Sequence, residues 1–177
     1  MSVSDKVEIV VKDACIFFDL IDLGLLPNFY QLPLVVFTTP QVLLEITDEM
    51  QLAEITGYVA SGQLQIDHFG NLETIASFAE SNRGISFTDA SVLEAAIRRK
   101  ASILSSDKSL RNESKRRDIP IHGLLWVLDE LYNQEIITLK LLIEKLEAYP
   151  EVNKRAPKSE IETLLKKYNC QDELKLK

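Results

Sequence analysis

The feature that most constrains this chain is an alternation. Short apolar runs rich in β-branched residues are separated by segments long enough to be helices. Residues 7–11, 34–38, 64–69, 102–104 and 120–122 read as strands. A first helix spans Ala14 to Leu26, stopped by Gly24 and Pro27. A second opens at Pro40 behind Thr39 as N-cap, passes Leu44 and Glu45, and is followed by more helix to Ser61 and Gly62. Residues 72–80 form another. Ser86 with Asp89 three residues on has capping-box form and precedes a helix over residues 90–100. Residues 108–117, 124–132, 139–149 and 161–168 complete the helices. Strands joined through helices make βαβ units, and βαβ units make a parallel sheet. The expected class is α/β: a Rossmann-like central parallel sheet of about five strands with helices on both faces. The polar stretch 150–158 is the one plausible hinge, so one domain is expected over residues 1–149, with a helical appendage, 150–177, packing on it.

Composition narrows the class. At 177 residues, 46% hydrophobic and with mean hydropathy near zero, the chain can bury one full core without disulfides or a structural metal. The longest apolar stretches, such as residues 32–37, fall far short of the roughly 20 residues that span a bilayer. The polar start, Met1 to Lys6, does not read as a signal peptide. Cys15 and Cys170 are far apart and outside any CxxC spacing, which points to a reducing cytoplasm. Cys15, on an apolar run, reads as a small buried hydrophobe.

Charge is divided unevenly. Residues 1–80 carry 12 acids against Lys6 and Lys12, whereas residues 98–117 carry eight bases against Asp107 and Glu113. A local basic stripe on a chain of net charge −7 can still bind a polyanion, because affinity follows the phosphates neutralised locally. Arg98, Lys108, Arg111, Lys115, Arg116 and Arg117 are the candidate polyanion contacts; Arg98, Arg99 and Lys100 also end a helix and partly serve its dipole.

In an open parallel sheet, chemistry sits beyond the carboxyl ends of the strands. Acids recur there: Asp13 after the first strand, Glu45 in the helix after the second, Asp89 at the start of the helix before the fourth, Asp107 after the fourth. Asp19 and Asp22 read as surface acids. His68 and His122 have no second His or Cys at ligand spacing and read as structural. Trp126, on an apolar helix, reads as core. Gly-rich phosphate loops and the GxSxG elbow are absent from the sequence. A receiver-type signalling domain is excluded by Ala14 after Asp13, by His68-Phe69-Gly70 after the third strand and by Gly123 after the fifth.

Four segments resemble the PIN-domain ribonucleases, and in particular the VapC-type toxins of toxin–antitoxin pairs. They are Val-Val-Lys-Asp-Ala-Cys (10–15), Thr-Pro-Gln-Val-Leu-Leu-Glu (39–45), Ile-Ser-Phe-Thr-Asp-Ala-Ser (85–91) and Leu-Ser-Ser-Asp-Lys-Ser-Leu (104–110). In the last, Ser105 stands where the family commonly has Thr. His122-Gly123-Leu124-Leu125-Trp126 and Arg155-Ala156-Pro157 resemble the helical ending of many members. The resemblance implies catalysis by Asp13, Glu45, Asp89 and Asp107, with Asp13, Asp89 and Asp107 as metal ligands and Ser105 in support. It further implies an RNA substrate, a homodimer and a small antitoxin whose tail covers the acids.

Physical chemistry supplies the reason for such a cluster. Two carboxylates about 4 Å apart repel by roughly 4 kcal/mol at an effective dielectric near 20, which a divalent ion relieves. Mg²⁺ or Mn²⁺ suits an all-oxygen donor set, activates water and stabilises charge on a phosphate undergoing in-line attack. The expected function is a divalent-metal-dependent endoribonuclease. The alternative is a non-catalytic PIN-like module that binds RNA or protein, and retention of all four acids argues against it.

Overall fold

The computed structural model describes residues 7–11, 14–81 and 84–175. Five strands form one sheet: β1 (Val7–Val11), β2 (Leu34–Thr38), β3 (Leu64–Ile66), β4 (Ser102–Leu104) and β5 (Ile121–His122). Their order is β3-β2-β1-β4-β5 and every pair is parallel. Consecutive strand residues point to opposite faces, and Ile9, Val10 and Val11 are all fully buried, so β1 is covered on both sides. The α/β class and the five-stranded parallel sheet are as the sequence led one to expect.

The helices are α1 (Ala14–Asp22), α2 (Leu26–Phe29), α3 (Pro40–Leu44), α4 (Glu49–Ala60), α5 (Leu72–Ser81), α6 (Phe87–Arg99), α7 (Lys108–Arg116), α8 (Leu124–Asn133), α9 (Leu139–Val152) and α10 (Lys158–Lys175). The chain divides within α1 into two compact units, one of residues 1–18 and 33–123, the other of residues 19–32 and 124–177. In the first, α6 covers the sheet. Its Val92, Leu93, Ala95 and Ala96 pack with Val10, Phe37, Val42, Ile103 and Leu110 into one core. Small residues at 95 and 96 let the helix approach the strands closely. In the second unit, α8, α9 and α10 pack on one another, and Tyr132 meets Tyr168 edge to face with centroids 5.2 Å apart.

Several element ends differ from expectation for identifiable reasons. The first helix stops at Asp22 because Gly24 takes the left-handed conformation, φ +69°, and the Leu25 amide closes back on the Leu20 carbonyl. Pro27 then starts a separate short helix. The stretch from Pro40 to Ser61 is two helices, because Asp48 caps the second through the Gln51 amide. β3 ends at Ile66 rather than Phe69, since the Asp67 carboxylate accepts the Phe69 amide and turns the chain. α9 continues past Pro150 to Val152, with the proline in its last turn, where only one ladder bond is lost, and α10 is longer at both ends than expected. Cys15 is exposed, not buried: Ile16, Phe17 and Leu20 take the inner face of α1. Asp19 is no surface acid. It is buried, accepting hydrogen bonds from Tyr149 Oη at 3.3 Å and Asn153 Nδ2 at 2.9 Å.

Candidate functional site

The strand order fixes where a site can form. From β1 the chain crosses to β2 and β3 on one side, then returns to place β4 and β5 on the other, so the topological switch lies between β1 and β4. Val11 is in register with Leu104, so β1 and β4 end side by side at the carboxyl edge of the sheet. Asp13 follows β1 in sequence and lies outside the described residues.

After β4, Ser105 is fully buried. Its amide donates to the His122 carbonyl at 2.9 Å and its Oγ accepts the Asp107 amide at 3.0 Å. Asp107 is the N-cap of α7, its Oδ1 accepting the Leu110 amide at 2.8 Å. Asp89 enters from α6 in a complete capping box. Its Oδ2 accepts the Ser86 amide at 2.8 Å and the Ser86 hydroxyl at 2.9 Å, while Ser86 Oγ accepts the Asp89 amide at 3.0 Å. The carboxylate is held in one orientation at 6% residue exposure. Glu45 is exposed at the C-terminal end of α3. Among the described residues, no three His, Cys, Asp or Glu side chains stand close enough to hold an ion. The donor chemistry, oxygen only and anionic, fits a hard divalent cation; Glu45, Asp89 and Asp107 do not converge into a site by themselves.

The basic stripe divides. Lys108 and Arg111 lie on the first turns of α7, beside Asp107. A Cβ placed on Gly123 would lie 3.4 Å from Arg111 Nη2 and 4.0 Å from the Ser105 carbonyl, which puts this guanidinium at the carboxyl edge of β4 and β5. Lys115 and Arg116 lie about 10–12 Å beyond Lys108 along the helix, at about 1.5 Å per residue. Both are exposed. Arg117 is engaged inside the unit: its Nε donates to buried Glu113 at 2.8 Å and its guanidinium covers Phe78 at 4.3 Å. Arg98 is engaged as well.

The partners of Arg98 are residues the sequence did not single out. Asp67, directly after β3, has a side chain with no exposed surface. Arg98 Nη2 donates to its Oδ1 at 2.9 Å and Arg99 Nε to its Oδ2. Arg98 Nε also donates to Glu94 Oε1 at 3.0 Å, and Arg99 reaches Glu8 at 3.4 Å while lying over the Phe37 ring. Burial alone would raise the Asp67 pKa; Arg99, the Phe69 amide and Arg98 outweigh it and hold the carboxyl below its ordinary range. Glu94 first, against the opposing effect of burial, and then Asp67 push Arg98 above the ordinary guanidinium value. In the sequence Asp67 falls inside the expected strand 64–69, so its position does not mark it. Its partners, 31 and 32 positions away, give no signal either.

A last contact joins the helices that carry Glu45 and Asp89. Thr39 Oγ1, the N-cap of α3, lies 2.8 Å from Ser91 Oγ, which donates to the Thr88 carbonyl in the first turn of α6.

The family model that matches, DUF3368, is described as a PIN domain and spans residues 9–169. No curated protein matches the chain. PIN domains are in general nucleases that act on RNA with divalent metal ions. Among the described residues no helix is long and apolar enough to cross a membrane. With the match running over most of its length, this chain belongs to the PIN-domain family.

Proposed function

We propose that this protein is an endoribonuclease that hydrolyses RNA phosphodiester bonds with Mg²⁺ or Mn²⁺, and that it acts as the toxin of a toxin–antitoxin pair. The observation that carries the first part is the placement of Asp89 and Asp107. Both are anchored through their own helix caps, and Asp107 follows β4 at the switch between β1 and β4. Asp13, which precedes α1 in sequence, is assigned to the same ion with them. Bound there, the ion would lower the pKa of water and offset charge building on the phosphate.

The chain's own residues do the rest. The Ser86 hydroxyl and amide hold the Asp89 carboxylate against rotation. Ser105 Oγ fixes the turn that presents Asp107. Glu45, exposed to solvent, is assigned to orient the attacking water and take its proton. Lys108 and Arg111 are assigned to the RNA backbone beside the scissile bond, with Lys115 and Arg116 further along the strand.

The test is hydrolysis of a labelled single-stranded RNA by the purified chain, with a melting curve on the same sample. Mn²⁺ should start cleavage and a chelator should stop it. By linkage, the ion should stabilise the fold by about 2.7 kcal/mol at a hundredfold excess over its Kd. Absence of both effects would favour the non-catalytic module. For the toxin assignment, a small neighbouring reading frame encoding a DNA-binding protein is expected, whose product silences the cleavage. A homodimer is expected in sedimentation; monomer alone at high micromolar concentration would remove it.

A further inference from the structure

Beside β3, a cavity of about 180 Å³ opens among α3, α5 and α6, and no role assigned above accounts for it. Its walls are apolar at Leu72, Ile75 and Ala95. Its charged groups are Asp67, Glu94 and Arg98, with His68 and the uncharged polar side chains of Thr39, Gln41 and Ser91 also on the wall. Glu94, Ala95 and Arg98 fall on one face of α6 because residues three and four apart stack along a helix.

The charges are already arranged. Arg98 spends Nε on Glu94 and Nη2 on Asp67 and Glu94, which leaves Nη1 as a donor without a partner among the described residues. Each Glu94 oxygen accepts one bond from Arg98 and keeps a second lone-pair site. The pair therefore offers a donor beside two acceptors, the acceptors on a Glu94 side chain only 8% exposed. Gly70 keeps the approach open. Its φ lies outside the left-handed region, so no backbone demand explains it. A Cβ there would instead sit 3.1 Å from Ile75 Cδ1 and 3.6 Å from Glu94 Oε2.

We propose that this cavity takes one unpaired guanine base of the RNA, read by Glu94 and Arg98. The Watson–Crick edge of guanine is an acceptor, O6, beside two donors, N1–H and the N2 amino group, complementary to the donor and two acceptors of the pair. Adenine and cytosine set an amino group against the arginine, and uracil sets its O2 against the carboxylate. The flat ring lies between the apolar walls, as unpaired bases do in sequence-reading pockets. The proposal rests on the ribonuclease reading, since it names that substrate's base.

The experiment measures binding without metal, so that it does not depend on cleavage. Ten-nucleotide oligo-U RNAs carrying one central G, A or inosine are titrated against the full chain, its Glu94→Gln variant and its Gly70→Ala variant. The second variant leaves the ion pairs in place and keeps the test valid if the first fails to fold. The expected result is G over A by at least about fivefold, with inosine, which lacks the amino group, between them, and loss of the preference in either variant. Equal affinities in the parent, or a preference intact in both variants, would overturn the proposal. Displacement by 5′-GMP more readily than by the G-containing oligomer would overturn the RNA assignment. Cleavage mapped alongside separates the two readings. Guanine-selective binding without any Mn²⁺-dependent cleavage keeps the pocket and removes the nuclease, while cleavage indifferent to base keeps the nuclease and removes the pocket.

Discussion

Thr39 Oγ1 and Ser91 Oγ are 2.8 Å apart, both buried, and 52 residues distant in sequence. Thr39 also accepts the Val42 amide and Ser91 donates to the Thr88 carbonyl, so two helix starts share one chain of hydroxyls. Glu45 closes α3 and Asp89 lies in the first turn of α6, so this contact ties together the two helices next to which these acids stand. Ser91→Ala should cost about 1–3 kcal/mol in urea unfolding, because it strips a partner from a buried hydroxyl. Thr39→Val should cost at least as much, since it also removes a cap. The double variant should cost less than the sum. Additive losses would mean that the two hydroxyls act separately.

Asp67→Ala should be destabilising, by about 1–3 kcal/mol, because Arg98 and Arg99 would lose a fully buried counter-ion while Arg98 keeps Glu94 and Arg99 keeps Glu8. The pH dependence has a definite sign. With the folded carboxyl below its ordinary value, its stabilisation is fully present above about pH 4, the unfolded value, and disappears as pH falls through the lower folded value. Unfolding free energies measured from pH 7 down to pH 2 should therefore decline less steeply in the variant than in the parent. Parallel curves would contradict the ion network.

Arg116 and Arg117 are neighbours with different work. The Arg116 side chain is 71% exposed and makes only a surface ion pair with Glu113 at 3.2 Å, whereas Arg117 donates to Glu113 at 2.8 Å and also covers Phe78. Arg116→Gln should leave the melting temperature in place and reduce the slope of log K against log salt for single-stranded RNA by about 0.7. Arg117→Gln should lower the melting temperature by leaving Glu113 underpaired, with a smaller change in slope. The reverse pattern would exchange their roles.

Much of the fold was legible because its signals are local. The β-branched runs at residues 7–11, 34–38 and 102–104 coincide with strands, and Thr39 and Ser86 cap the helices they precede. Element ends were less legible where a side chain's distant partner decided them. β3 stops early because Asp67, held by arginines 31 and 32 positions away, accepts the Phe69 amide, and Asp19 is buried because of Tyr149 and Asn153 at 130 and 134 positions' distance. The acids behind the strands stood out by position alone. Glu94 did not, since an acid four residues before an arginine on a helix reads as an ordinary surface pair.

The central claim is that Asp89 acts through its charge and not only through its cap. Asn at this position keeps an oxygen for the Ser86 amide, so Asp89→Asn should retain the circular dichroism spectrum of the parent. Steady-state hydrolysis of one labelled RNA by parent and variant, in Mn²⁺ and purified identically, measures the difference. Loss of a ligand should cost at least the roughly ten- to hundredfold that even indirect metal contacts are worth. Cleavage by Asp89→Asn at the parental rate would contradict the account.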